Sequence, residues 1–284
     1  MAAVSLHDDA WHKPVFISFL LVWIANLIVL GFGIRLPADG LWVEGLLPVA
    51  AMATTLVGLR RILPWQNLLA MTAIIGGLGY TAMLTCVRTG QPFGPVVYLD
   101  ADANPMFGTV PWWVPAMWVV VILNARGVAR LTLFRWRTNR NFGLWVIAAT
   151  CALVVLFLLG LEPVATLDKR YWIWTTGKGS VPWNWYGTPI TNFLAWGISA
   201  FVVLMACIVW MINKRPAPVV PHFQPVAVWV LLSVWLLLGN AVERRWMAVG
   251  VVSVQSIVIA LLAWKAGART NQIIARERRA AQPG

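Results

Sequence analysis

The chain has 284 residues, of which 60% are hydrophobic and only 11% are charged, and its formal net charge is +12. This composition lies well outside the range of soluble domains and excludes a soluble enzyme or binding module. The apolar residues come in blocks of about 20, the length of helix that crosses a bilayer. We therefore predict an all-α, polytopic transmembrane helix bundle and treat residues 1–284 as a single integral-membrane domain.

Eight apolar segments are candidate spans. The first follows a stretch without a basic segment, and no small-residue cleavage site follows it, so we expect it to be retained as a helix. The fourth and seventh are short unless they extend into their flanks, which leaves a count of seven open beside a count of eight. The eight candidates are Val15–Ile34, Leu41–Leu59, Leu68–Val87, Trp112–Leu123, Leu144–Leu161, Ile190–Ile212, Ala227–Gly239 and Met247–Trp264.

Basic residues predict the orientation of the bundle. With eight spans, one side of the membrane holds 15 of the 22 basic residues, including Arg60, Arg61 and the arginine-rich loop 124–143. Because basic loops stay in the cytoplasm, both termini are predicted to be cytoplasmic, in a membrane of the bacterial inner (plasma) membrane type. Orientation and attraction to anionic lipid explain the net charge, so we expect membrane lipid and no nucleic acid as a partner.

Ionisable residues are not expected inside the spans. The polar content of the span cores is limited to Asn26, Asn124, Gln255 and hydroxyl groups, whereas transporters usually carry charged residues at that depth. The three histidines lie on the predicted cytoplasmic side, away from most of the acids. This placement disfavours a metal or acid–base site built on histidine.

Two connections are longer and more aromatic than a helix hairpin needs. They are Arg88–Pro111 and Leu161–Trp196, and both lie on the predicted non-cytoplasmic face. Two such loops on one face can close over the end of a bundle, so we predict that they form the wall or lid of a site. Their four carboxylates are Asp100, Asp102, Glu162 and Asp168.

Five motifs occur in one order within this region. They are GQPFGPVVY at 90–98, GTVP at 108–111, LEP at 161–163, YWIW at 171–174 and YGTPITNFLAW at 186–196. This set resembles the integral-membrane carotenoid biosynthesis protein family, whose characterised members are carotenoid 1,2-hydratases of the γ-carotene and bisanhydrobacterioruberin hydratase type. The resemblance covers roughly residues 60–212, and residues 213–284 would add two spans and a basic tail.

The resemblance implies hydration of a terminal double bond of an acyclic carotenoid, with other carotenoid enzymes as candidate partners. Family members usually carry an acid where this chain has Met83, and another where it has Leu158. They also have Asp-Pro where this chain has Glu162-Pro163. Two other functions stay open: a membrane transporter of an apolar substrate, and a non-catalytic scaffold for carotenoid enzymes.

The implied reaction needs a proton donor, aromatic faces that stabilise a cation, and polar groups that position water. It calls for no metal and no organic cofactor. The candidate acids are Glu162, Asp100, Asp102 and Asp168. The candidate walls are Tyr98, Trp172, Trp174, Trp185 and Tyr186, and the candidate water partners are Asn184 and Asn192.

The four acids differ in their alternative interpretations. Asp100 and Asp102 could shape Asx-turns, and Asp168 could form a solvated ion pair with the adjacent Lys169 and Arg170. Glu162 is the strongest candidate because a carboxylate at a helix C-terminus gains nothing from the helix dipole. We expect it where the fifth span gives way to the loop, apolar on one side and within reach of water on the other.

Overall fold

The computed structural model describes residues 11–34, 43, 45–99, 105–106, 109–175, 184–211 and 222–280. Its helices are α1 (His12–Gly31), α2 (Leu46–Leu59), α3 (Trp65–Thr89), α4 (Val114–Thr132), α5 (Phe142–Pro163), α6 (Ile190–Ala206), α7 (Ile208–Met211), α8 (Gln224–Val242) and α9 (Trp246–Ala280). A 3-10 turn covers Phe134–Trp136, and a π-helix covers Val164–Asp168. The strands are β1 (Val96–Tyr98), β2 (Pro105–Met106), β3 (Val110–Pro111), β4 (Trp172–Trp174), β5 (Asn184–Trp185) and β6 (Thr188–Pro189).

The helices confirm the predicted all-α polytopic bundle. Six of them, α1, α3, α4, α5, α8 and α9, are long and apolar enough to cross a membrane. The shorter α2 and α6 are apolar helices of 14 and 17 residues, and α7 continues the path of α6 after a break at Cys207. The fourth and seventh candidates do extend into their flanks, since α4 and α8 each have 19 residues.

Helix α4 corrects the sequence analysis at its C-terminal end. It continues to Thr132, so the first nine residues of the predicted loop 124–143 are helical. Arg126, which lies beyond the predicted span Trp112–Leu123 and was predicted to lie in the loop, is therefore part of this helix and is only 8% exposed. Apolar residues between the arginines keep a helical period, and arginine itself is a good helix former.

The core of the bundle is built around α4, in which 15 of 19 residues are buried. Trp118 of α4 stacks on Trp196 of α6, with ring centroids 3.9 Å apart. On its other side Trp118 approaches Gly79 of α3 so closely that a Cβ there would lie 2.4 Å from the Trp118 ring. Tight packing on α3 and α6 therefore fixes the end of α4 that faces the two long connections.

The two long connections meet at one end of the bundle, as predicted. Strand β1 of the first pairs antiparallel with β4 of the second, with Tyr98 opposite Trp172 and Val96 opposite Trp174. The buried positions of β1 alternate with the exposed Val97, which is the pattern of a strand with one face on a core. The pairing holds the YWIW motif against the end of α5.

Candidate functional site

Glu162 lies where α5 changes from an α-helix to a π-helix. Pro163 has no backbone N–H, so the Leu159 carbonyl lacks its usual helical donor, and it accepts a hydrogen bond of 2.8 Å from Trp185 Nε1 instead. The next carbonyl, that of Gly160, accepts one of 2.9 Å from Asn240 Nδ2 of α8. Side chains from the loop and from α8 thus stabilise the irregular turn that positions the carboxyl group.

The Glu162 side chain is 1% exposed and receives four hydrogen bonds. Its Oε2 atom accepts from Trp172 Nε1 at 3.2 Å, from Trp174 Nε1 at 3.0 Å and from Thr188 Oγ1 at 3.2 Å. Its Oε1 atom accepts from Asn192 Nδ2 at 2.7 Å. The expectation that helix gives way to loop here, with water within reach, was wrong, because the π-helix continues the chain and the aromatic strand covers the carboxyl group.

The four donors come from β4 and from the segment that joins β6 to α6, and their geometry directs them to one point. Trp172 and Trp174 are two residues apart on β4, so their side chains leave the strand on the same face. Thr188 lies on β6 immediately before α6, and Asn192 lies in the first turn of α6. The YWIW motif and the YGTPITN segment therefore encode a donor cage for the acid of the LEP motif.

All four donors are neutral, so the cage stabilises a carboxylate without a cation. The two indole N–H groups can only donate, whereas the Thr188 hydroxyl and the Asn192 amide can also accept. Asn192 Oδ1 is buried and has no hydrogen-bond partner among the described residues. Asn192 and Thr188 are therefore able to serve either an ionised or a protonated Glu162.

Tyr98 supports the cage from β1. Its ring packs edge-on against Trp172, with ring centroids 5.9 Å apart. Burial raises the pKa of the Tyr98 phenol above its ordinary value, with smaller contributions from Cys86 and Glu162. The hydroxyl consequently stays protonated at neutral pH and adds no second negative charge beside Glu162.

An apolar pocket adjoins the cage. It holds about 600 Å³ of empty space, including its open mouth. Trp172 belongs to both features, since its ring lines the pocket while its N–H binds Glu162. Glu162 itself is not among the lining residues, which are Leu47, Pro48, Ala51, Trp113, Met117, Val120, Val121, Phe157, Leu161, Tyr171, Trp172, Leu232 and Trp235.

Several predicted residues lie at the site in roles other than those expected. Trp185 binds the Leu159 carbonyl, and Tyr186 packs edge-on against Trp185 with ring centroids 5.1 Å apart. Asn184 is exposed, and its side-chain oxygen accepts the Gly187 N–H at 3.2 Å, which shapes the β5–β6 turn. These three residues support the cage from outside and do not contact the carboxyl group.

Asp168, another of the candidate acids, does not join Glu162. Both carboxylate oxygens of Asp168 bind the guanidinium group of Arg245, and the bond from Arg245 Nη1 is 2.7 Å long. The predicted partners of Asp168 were its neighbours Lys169 and Arg170, and the partner found lies in the turn between α8 and α9. Asp100 and Asp102 lie outside the described residues.

Thr188 and most of the residues that line the pocket were not among the residues predicted from the sequence. Thr188 stands within the YGTP segment, so its place in a motif was a usable signal. Of the aromatic lining residues, Trp113 immediately precedes α4, Phe157 lies in α5 and Trp235 lies in α8. Their convergence depends on helix packing, which no local pattern indicates.

Comparison with known proteins assigns the chain to a family. The model of the carotenoid biosynthesis protein family matches residues 40–266. A bisanhydrobacterioruberin hydratase of Haloarcula japonica is 32% identical over 127 residues, which make up 44% of this chain and 40% of the relative. The aligned part thus spans less than half of the relative's length, and no solved structure matches the chain. The match over most of the length shows that this chain belongs to the carotenoid biosynthesis protein family.

Proposed function

We propose that this protein is a membrane enzyme that adds water to a terminal double bond of an acyclic carotenoid, with Glu162 as the acid and base. The observation that carries the proposal is the contact between Glu162 and Trp172, because that indole also lines an apolar pocket. The name of the Haloarcula japonica relative, a hydratase, supports the same reaction class. An isoprenoid end group is apolar, as is every side chain that lines the pocket except for the polar tips of its aromatic rings.

The first step is proton transfer from the Glu162 carboxyl group to the terminal double bond. A C–H bond forms at one alkene carbon, the π electrons supply that bond, and the other carbon becomes a tertiary cation. The aromatic rings of Trp113, Phe157, Tyr171, Trp172 and Trp235 line the pocket that would hold the end group. Each aromatic face stabilises such a cation by about 1–2 kcal/mol in a dry site.

The second step is attack by water on the cation. The water oxygen forms the new C–O bond, and one of its protons returns to the Glu162 carboxylate, so that the acid is regenerated and one water molecule is consumed. The unpartnered Asn192 Oδ1 is able to accept a hydrogen bond from that water. The indole of Trp172 lies between the pocket and the carboxyl group of Glu162. Proton transfer therefore requires the end group of the carotenoid to displace this indole.

The experiment that tests the proposal is expression of the full chain in a host that accumulates an acyclic carotene. We expect a new carotenoid that is heavier by one water molecule for each end modified. When the cells grow in water labelled with heavy oxygen, the new hydroxyl group should carry the label. A hydroxyl group that takes its oxygen from molecular oxygen would refute hydration, and an unchanged pigment profile in cells with folded protein would favour the scaffold function.

A further inference from the structure

The end of the bundle opposite Glu162 contains a buried arginine that no described residue neutralises. Arg126 in α4 is 8% exposed and makes no hydrogen bond or ion pair with any residue in the part of the chain that the structure describes. The Arg126 side chain lies near Cys207, at the break between α6 and α7. An unpaired buried guanidinium group is costly, so this position favours an anion.

A second arginine lies one turn further along the same helix. Arg130 is exposed, and at a spacing of four residues it shares a helix face with Arg126 and repels it. A bound anion would convert this repulsion into attraction at both side chains. Guanidinium groups bind phosphate oxygens through two parallel hydrogen bonds, which makes a phosphate group a well-matched ligand.

The described acids do not supply this anion. The side chains of Glu162, Asp168 and Glu243 are described, and all three lie at the opposite end of the bundle, near the loops that cover α5 and the turn after α8. The end that holds Arg126 instead carries further cations, among them Arg60 and Arg61 after α2. An anion from outside the described chain therefore fits the charge distribution.

The position of Arg126 along α4 indicates where the ligand comes from. The residue precedes the last residue of α4, Thr132, by six positions, which is about 9 Å along a helix axis. That depth is close to the boundary between lipid headgroups and acyl chains when the helix ends at the membrane surface. We propose that Arg126 and Arg130 bind a phosphate group at this end of the bundle, and that an anionic lipid headgroup supplies it.

The test measures the thermal stability of the purified full chain in a neutral detergent. Phosphatidylglycerol, phosphatidylcholine and inorganic phosphate are added separately at equal concentration. The variants are Arg126→Met, Arg126→Lys and, as a matched control, Arg140→Gln, which removes an exposed positive charge at the same end of the bundle. We expect phosphatidylglycerol to raise the Tm of the wild type and of Arg140→Gln more than phosphatidylcholine does.

Arg126→Met should lose this lipid-dependent rise, with affinity for phosphatidylglycerol weaker by at least about tenfold, and Arg126→Lys should keep part of it. Without lipid, Arg126→Met should be at least as stable as the wild type, because an unpaired buried charge is gone. An equal, Arg126-dependent rise with inorganic phosphate would identify free phosphate as the source. If Arg126→Met lowers the Tm and keeps the full rise with phosphatidylglycerol, the side chain is structural and the proposal is wrong.

Should Arg126→Met not fold, Arg130→Gln provides the second variant. Arg130 is exposed, so its replacement leaves the packing of α4 intact. A reduced rise with phosphatidylglycerol in this variant would support the site, and an unchanged rise would contradict it.

Discussion

Asn192 donates from its amide nitrogen to Glu162 Oε1 across 2.7 Å, while its own Oδ1 has no partner among the described residues. In this orientation the amide stabilises an ionised Glu162. A half-turn of the amide would present Oδ1 to Glu162, where it could accept a hydrogen bond from a protonated Oε1. One side chain thus suits both protonation states, which is what a group that gives up a proton and later recovers it requires.

We expect Asn192→Leu to lower hydration by about tenfold to a hundredfold, the loss associated with about 1–3 kcal/mol for a hydrogen bond to a charged group. The reason is that the carboxylate formed in the first step loses the donor on Oε1. The measurement is product formed per unit of folded protein.

The matched control is Asn124→Leu. Asn124 is also a buried asparagine, but its Nδ2 donates to Thr55 Oγ1 and to the Val120 carbonyl, and it does not touch the carboxyl group or the turn that positions it. It should lower the Tm and leave the rate for each folded molecule close to that of the wild type. Equal losses of rate in the two variants would show that Asn192 acts through stability alone.

The two indole donors should differ in their kinetic effect. Trp172→Phe and Trp174→Phe each remove one donor to Glu162 Oε2, but only Trp172 lines the pocket. We expect Trp174→Phe to lower kcat and leave KM almost unchanged, and Trp172→Phe to change both. Initial rates against carotenoid concentration separate these effects, and Trp185→Phe, which removes the donor to the Leu159 carbonyl, is the control. A KM effect confined to Trp174→Phe would contradict the described pocket.

The site residues that the sequence predicted are those with a local signal. Glu162 stands before a proline at the end of an apolar run, and Trp172 and Trp174 alternate as strand residues do. Asn184 and Trp185 stand in the same aromatic-rich connection as these residues. The sequence alone therefore did not show that Asn184 shapes a turn and that Trp185 supports α5, whereas Trp172 and Trp174 contact the acid. Only the register of β4 and the turn of β5 and β6 make that distinction.

The parts that could not be predicted depend on three-dimensional packing. The segment after Leu123 was predicted to be a loop because it is rich in arginine. Its apolar residues nevertheless pack in the core, and the segment extends α4. The partner of Asp168 is 77 residues away, in the turn between α8 and α9. The pocket similarly requires α2, α4, α5 and α8 to converge.

The orientation of the bundle is a further prediction. Gly94 is unsuitable for a cysteine probe, because its φ of +119° and the approach of Pro189 would strain any side chain. Val97 is 44% exposed at the end that holds the cage, and Thr138 is exposed at the other. Cys151 is the partly exposed native cysteine among the three, so it is first replaced by alanine. In that variant, a membrane-impermeant thiol reagent should label Val97→Cys in intact cells and should not label Thr138→Cys. Labelling of Thr138→Cys alone would reverse the predicted orientation.

Stability should depend on pH through His222, which precedes α8. Burial lowers the pKa of His222 to about 4, with smaller contributions from Arg61 and His12. At pH values between the pKa of His222 in the folded chain and its ordinary value of about 6.5, the unfolded chain therefore binds one more proton than the folded chain. Stability is fully present above about pH 6.5 and falls towards pH 4, by about 2–3 kcal/mol.

The variant His222→Gln should flatten this part of the profile, as measured by the Tm in detergent from about pH 7 to about pH 4, the window in which stability is expected to fall. The control is His12→Gln, which removes a second described histidine at this end of the bundle. An unchanged slope in His222→Gln would show that another group controls acid stability.

The most direct test of the account is the hydration rate of Glu162→Gln. The amide is nearly isosteric, so the variant should fold, but it has no proton to give to an alkene. We expect the rate to fall by about 10²–10⁴-fold, the usual contribution of a positioned general acid, and Glu162→Asp to keep part of the activity. Asp168→Asn should matter less, because Asp168 is bound to Arg245. Near-normal hydration by well-folded Glu162→Gln would contradict the role of Glu162 as the proton donor.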